Sequence, residues 1–160
     1  MRIIEITESK DLDLMLSIVK TYPRTDKEME STEKQLNKEL SEAGGNRHLY
    51  VGYKNDICVA MIQLILKNAD NDPDLADSKK IAHVHNLQVR QDLQGNGIGR
   101  TMMDFIEDKA REMGIKVLTL GVDDVNKRAI KMYKNRGYET FKTEPGRYPG
   151  EFGYCMKKTL

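Results

Sequence analysis

Apolar and charged residues alternate from Arg2 to Ile6, and that period of two predicts a short first strand. From Asp11 to Lys20 the period changes. Leu12, Leu14, Met15, Ile18 and Val19 recur at helical spacing, with capping residues in Thr7 to Ser9. Pro23 breaks this helix, because the residue before a proline is driven out of α geometry. A second, highly charged helix is predicted from about Glu28 to Glu42, ending at Gly44-Gly45. Its apolar stripe is thin, which places it at the surface. His48 to Tyr53 and Ile57 to Leu66 read as two strands joined through Lys54-Asn55-Asp56. After a polar, aspartate-rich loop from Asn68 to Lys80, His83 to Val89 is the next strand. A helix from about Gly97 to Met113 follows, with Ile98, Met102, Ile106, Ala110 and Met113 on one stripe and Phe105 beside it. Val117 to Val122 reads as a strand and Asn126 to Arg136 as a helix stopped by Gly137. Tyr138 to Lys142 and Phe152 to Lys157 close the chain as a late hairpin.

Strand, helix and strand in succession from His83 to Val122 form a βαβ unit, which implies one parallel pair. The strands before and after it read as antiparallel, so the fold class is mixed α/β. With 160 residues the chain is expected to form one domain, residues 1–160. A net charge of +1 gives no global field that would draw nucleic acid or a membrane surface. The sequence has no apolar run long enough to span a bilayer and no signal-like segment, so a cytoplasmic location is expected. Cys58 and Cys155 lack Cys-x-x-Cys spacing and read as buried free thiols.

The densest chemistry lies between strand and helix, where Gly95, Gly97 and Gly99 alternate behind Gln94 and ahead of Arg100. Glycines here let the backbone adopt positive φ and let a ligand approach amides at a helix N-terminus, which also favours negative charge. The pattern is a phosphate cradle. Its spacing is not the Gly-x-Gly-x-x-Gly of a dinucleotide fold, and Gly99-Arg100-Thr101 lacks the lysine of a P-loop. On this stretch alone, an ordinary tight turn stays open. His83 and His85 share a strand face, but no third ligand makes them a metal pair. Asp70-x-Asp72-x-Asp74 starts like an EF-hand loop and fails at Leu75 and Ile81. A solvated loop is expected there; alternatively Asp70, Asp72, Asp74 and Asp77 attract a cationic substrate.

Gln94-x-x-Gly97-x-Gly99, preceded by Leu87-x-Val89, resembles the acetyl-CoA signature of the GNAT superfamily of N-acetyltransferases. Asn126, Ala129, Tyr133 and Gly137-Tyr138 resemble that family's second motif, and the element order is similar over essentially the whole chain. The resemblance implies a twisted, mostly antiparallel sheet with one central parallel βαβ pair and helices on both faces. It implies acetyl-CoA as cosubstrate, no metal, and acetyl transfer to a primary amine by direct attack through a tetrahedral intermediate. Gln94, Gly95, Asn96, Gly97, Ile98 and Gly99 would bind the CoA pyrophosphate, with Arg100 as a further phosphate contact. Leu87, Gln88 and Val89 would run beside pantetheine, an N–H near Leu87 would stabilise the oxyanion, and Asn126 would contact the pantetheine arm. Tyr133 would act as general acid, although its spacing from Ile130 equally suits a packed core tyrosine. Many members carry a glutamate base where this chain has His85 and Asn86. His85 is therefore the candidate base, since imidazole titrates near neutrality, with a structural histidine as the other reading. The acceptor, a small molecule or a peptide amine, would meet Tyr22, Arg24, Arg147 and Tyr148, and a homodimer is a common family arrangement. The alternative function is a non-catalytic CoA-binding sensor or partner module.

Overall fold

The alternating start forms β1 (Arg2–Ile6), which pairs antiparallel with β2 (Arg47–Lys54) and sets Ile4 opposite Val51 and Ile6 opposite Leu49. The computed structural model describes residues 1–67, 69–146 and 148–160, with Asp70 described by its backbone alone. A 3-10 turn at Ser9–Asp11, closed by a capping box between Glu8 and Asp11, leads into α1 (Leu12–Val19). α2 (Asp26–Ser41) starts earlier than expected, because Thr25 and Glu28 cap each other reciprocally, at 3.1 and 3.2 Å.

α2 lies at the surface as expected, with most of its residues exposed, and its thin inner face is well used. Leu36 and Leu40 enter the core, and even Glu39 is buried. Its carboxylate is tolerated there because it is hydrogen-bonded. Gln63 Nε2 donates to it at 2.9 Å and Gln35 Nε2 at 3.2 Å, while Arg47 donates to Gln63 Oε1 at 2.6 Å.

The remaining elements are β3 (Ile57–Ile65), β4 (Ile81–Val89), α3 (Ile98–Glu112), β5 (Val117–Asp123), α4 (Lys127–Asn135), β6 (Glu139–Pro145) and β7 (Phe152–Thr159). The seven strands form one sheet in the order β1-β2-β3-β4-β5-β7-β6. β4 and β5 are parallel, from Ile81 opposite Val117 to Val84 opposite Leu120. β7 lies antiparallel to both β5 and β6, and Phe141 bulges out of the β6 register. The late hairpin is thus present, with longer strands than the apolar runs alone suggested.

By packing, the chain divides into two compact units, residues 1–64 with 86–106, and residues 65–85 with 107–160. The first is organised on Ile6, Leu49, Val51 and Met61 with the apolar faces of α1 and α2. Gly52 is required in it by close approach, since a Cβ there would lie 3.0 Å from Met102 Sδ. Of the predicted α3 stripe, Ile98, Met102, Ile106 and Ala110 are buried. Met113 is exposed, because Gly114 turns the chain at φ 81°.

The second unit holds the aspartate-rich loop, which is solvated as expected at Asn71, Pro73, Asp74 and Ser78 to Lys80 and covered in part elsewhere. Leu75 and Ala76 are buried with Ile65 and Cys155. Asp77 accepts from the amides of Lys79, Lys80 and Ile81, each at 2.9 Å, and Asp72 is ion-paired with Lys142. Asp72 and Asp77 hold the loop onto the sheet.

Candidate functional site

β4 carries the chain into the glycine turn, and its pleat breaks at Asn86, where φ is 54°. Asparagine is among the few side chains that tolerate this left-handed geometry. Gln88 Nε2 donates to Asn86 Oδ1 at 2.7 Å across the kink. A single left-handed residue makes the pleat irregular at this point, although the strand runs on to Val89. No hydrophobic pattern marks this break.

After Val89 the chain is pinned by Arg90 N–H, which donates to Val59 O at 2.9 Å, and Gln91–Leu93 make a 3-10 turn. Gly95 and Gly97 have φ of 85° and 80°, while Gly99 already lies within α3. A Cβ on Gly97 would meet nothing within 4 Å, so its backbone conformation, not crowding, demands glycine there. Thr101 N–H donates to Gly97 O at 3.1 Å, the first backbone bond of α3. The amides of Ile98, Gly99 and Arg100 come before it, and these are the donors a helix start leaves without intrahelical acceptors. Asn96 folds back onto Leu93 O at 2.9 Å, and the Arg100 side chain is exposed. The turn has the open space, dipole and N–H groups to receive a phosphate or pyrophosphate.

Tyr22 and Thr21, at the end of α1, meet the same segment. The Tyr22 hydroxyl donates to Val89 O at 2.5 Å and accepts from Gln94 Nε2 at 2.6 Å, while Gln91 N–H donates to Thr21 Oγ1 at 2.9 Å. Sequence reasoning set Tyr22 against an acceptor and missed these bonds. Contacts across some seventy residues leave no local signal. Arg24 donates to Thr32 Oγ1 at 2.7 Å, near the start of α2.

In the second unit, Asn126 caps α4 and its side-chain oxygen accepts from Ala129 N–H at 3.2 Å. Tyr133 is buried, with its ring 5.8 Å from that of Tyr138 in an edge-to-face contact. Burial pushes its hydroxyl up to about 12, against a smaller opposing pull from Arg136. α4 is tied to α3 and β7 through buried Glu107, which accepts from Arg136 Nε at 2.9 Å and Nη2 at 2.6 Å and also pairs with Lys158.

His83 and His85 have ring centroids 6.4 Å apart, as expected for alternate positions on a strand. Their roles diverge. His83 is buried, with Nδ1 2.9 Å from Thr119 Oγ1, and the Thr119 hydroxyl donates its only proton to Leu75 O at 2.7 Å. His83 Nδ1 must therefore carry the proton and donate. His85 is half-buried, which leaves it the accessible imidazole of the two. Tyr148 is 60% exposed on the β6–β7 connection, and Arg147 lies outside the described residues. Burial pushes the Cys58 thiol up to about 11 and, with help from Glu144, Cys155 up to about 12. Both cysteines are free and buried thiols.

Residues 12–138 match the family described as Acetyltransferase (GNAT) family. Among curated proteins, a mycothiol acetyltransferase of Propionibacterium freudenreichii is 31% identical over 75 residues. That match covers 47% of this chain and only 24% of the relative, so the chain aligns with about a quarter of the longer protein. Among solved structures, the ribosomal-protein-S18-alanine N-acetyltransferase of Escherichia coli superposes with a TM-score of 0.72 at 21% identity, covering 99% of this chain and 92% of that one. An aminoglycoside 6'-N-acetyltransferase complexed with coenzyme A gives 0.74 at 17% identity, covering 99% and 97%. At these identities the structural likenesses establish the fold alone.

Proposed function

Because the chain belongs to the Acetyltransferase (GNAT) family, we propose that it is a single GNAT-type domain that moves the acetyl group of acetyl-CoA to a primary amine by direct attack. The observation that carries this reading is the glycine turn, whose amides at the start of α3 precede the first intrahelical bond and whose positive φ at Gly97 favours glycine. Acetyl-CoA supplies the activated thioester, and its pyrophosphate matches the charge and size that such a turn selects.

The chain's own groups then have assigned work. Gly95 to Arg100 hold phosphate through N–H groups. Leu87 and Gln88, just past the Asn86 kink, present main-chain groups to the pantetheine arm, and Asn126 Nδ2 assists. An N–H near Leu87 supports the developing oxyanion. His85, directly or through water, accepts the ammonium proton. Tyr133 keeps its proton throughout the neutral range and donates toward the departing thiolate. A phenol held near 12 is a weaker acid than an ordinary thiol, which titrates near 8.5. The same burial that raises the phenol also raises a thiolate formed beside it, which brings the two closer. Direct transfer is favoured over a cysteine relay because both thiols are buried and held in the protonated form.

The acceptor is an amine on a small molecule or a peptide, with Arg24 and Tyr148 proposed to meet it, and the Tyr22 ring rather than its engaged hydroxyl. No helix among the described residues is long and apolar enough to cross a membrane. A cytoplasmic setting is part of this proposal. The test is thiol release from acetyl-CoA across a panel of amines, after acetyl-CoA binding has been measured. Binding with no turnover on any amine favours the sensor reading; no binding overturns both.

A further inference from the structure

We infer that Tyr22, outside the glycine motif, is a positioning residue that holds the phosphate-binding turn in shape and so sets part of the affinity for the donor. The inference rests on the acetyl-CoA reading of that turn.

A phenol has one proton. Tyr22 gives it to Val89 O, at 2.5 Å, so toward Gln94 Nε2, at 2.6 Å, it can only accept. Val89 ends β4, and Gln94 is the last residue before Gly95. One oxygen thus ties the strand end to the residue that opens the turn, across the 3-10 segment Gln91–Leu93. The neighbouring Thr21 completes the tie. Its hydroxyl donates to Ile18 O at 2.6 Å and accepts from Gln91 N–H at 2.9 Å. Two consecutive residues at the end of α1 therefore engage three polar groups between Val89 and Gln94.

This arrangement changes what the turn can offer a ligand. The Val89 carbonyl already has an acceptor role, and Gln94 Nε2 points to the phenol. The groups left for phosphate are the backbone amides farther along. With two glycines at positive φ, those amides would otherwise sample many directions, and ordering them on binding would weaken affinity. Tyr22 and Thr21 fix the near end of the loop beforehand.

The experiment compares CoA with pantetheine, which lacks the pyrophosphate, in titrations followed by protein NMR shifts. Tyr22→Phe keeps the ring and removes both hydrogen bonds. The expected result is roughly ten-fold weaker CoA binding with pantetheine binding unchanged. Thr21→Val, which keeps the shape of the side chain, is expected to act in the same direction and serves if Tyr22→Phe fails to fold. CoA affinity equal to wild type in the variant overturns the inference alone. Equal weakening of CoA and pantetheine also overturns it, because the effect would then not pass through the phosphate turn. Wild-type protein that binds no CoA overturns the donor reading, and the inference with it.

Discussion

Tyr133 shows how one side chain can be both packed in a core and a candidate proton donor. Its ring sits edge-to-face on Tyr138, and its burial raises the hydroxyl to about 12. Packing and acidity are therefore one property, since the low-dielectric setting that accepts the ring also keeps the proton on it. Tyr133→Phe preserves the packing and removes only the donor. Turnover is expected to fall roughly 10²- to 10⁴-fold with CoA affinity nearly kept. Unchanged kcat in the variant would remove the general-acid assignment. The pH profile gives an independent check. A donor with a raised value stays protonated as pH rises, so no alkaline loss of kcat short of about pH 12 is expected from Tyr133. The motif spacing pointed to this residue, but its burial was not legible from spacing, because Ile130 and Tyr133 would share a face on any helix.

At the scale of elements, two charged tethers hold parts of the second unit together. α4, which bears Tyr133 and Asn126, is tied to α3 and β7 by buried Glu107 between Arg136 and Lys158. Glu107→Ala leaves both cations without that carboxylate and is expected to lower stability by about 3–5 kcal/mol in urea denaturation. A loss below about 1 kcal/mol would mean that water screens these pairs as it does exposed ones. The second tether is Asp72 with Lys142, which latches the loop carrying Leu75 and Ala76. Lys142 and the Asp74 amide hold the Asp72 carboxyl below its ordinary 3.8, and Asp72 in turn raises Lys142 above 10.5. A depressed carboxylate contributes above pH 3.8 and loses that contribution as pH falls through its lower folded value. A raised lysine contributes fully below pH 10.5 and loses that contribution as pH rises through its higher one. Hydrogen-exchange protection of the Leu75 and Ala76 amides, both bonded to Asp72 O, is therefore expected to fall in acid. Asp72→Asn should show the lower protection already at neutral pH. Protection that is unchanged in both would show that apolar packing alone holds the loop.

For the whole molecule, the donor reading predicts ligand-linked stability. CoA at about 100 times its dissociation constant stabilises the native state by about 2.7 kcal/mol, which corresponds to roughly 5–10 °C in Tm for a domain of this size. NAD(P) is expected to produce no shift, because the turn does not have dinucleotide-fold spacing. A shift with NAD(P) and none with CoA would reverse the assignment of the cradle.

The sequence by itself determined the elements and their order, the single parallel pair, and the glycine turn at the start of α3. These are local matters: hydrophobic period, capping residues and glycine positions act within a few residues of themselves. Tertiary structure decided what the periods do not encode. It placed Asn86 at positive φ, buried Glu39 on Gln63, folded the aspartate loop onto the sheet, and fixed the His83 proton through Thr119 and Leu75. It also joined Tyr22 to Val89 and Gln94. The polar pairs among these join groups far apart along the chain. A buried polar group must find a partner wherever the fold provides one, so its partner is legible only once the chain has closed.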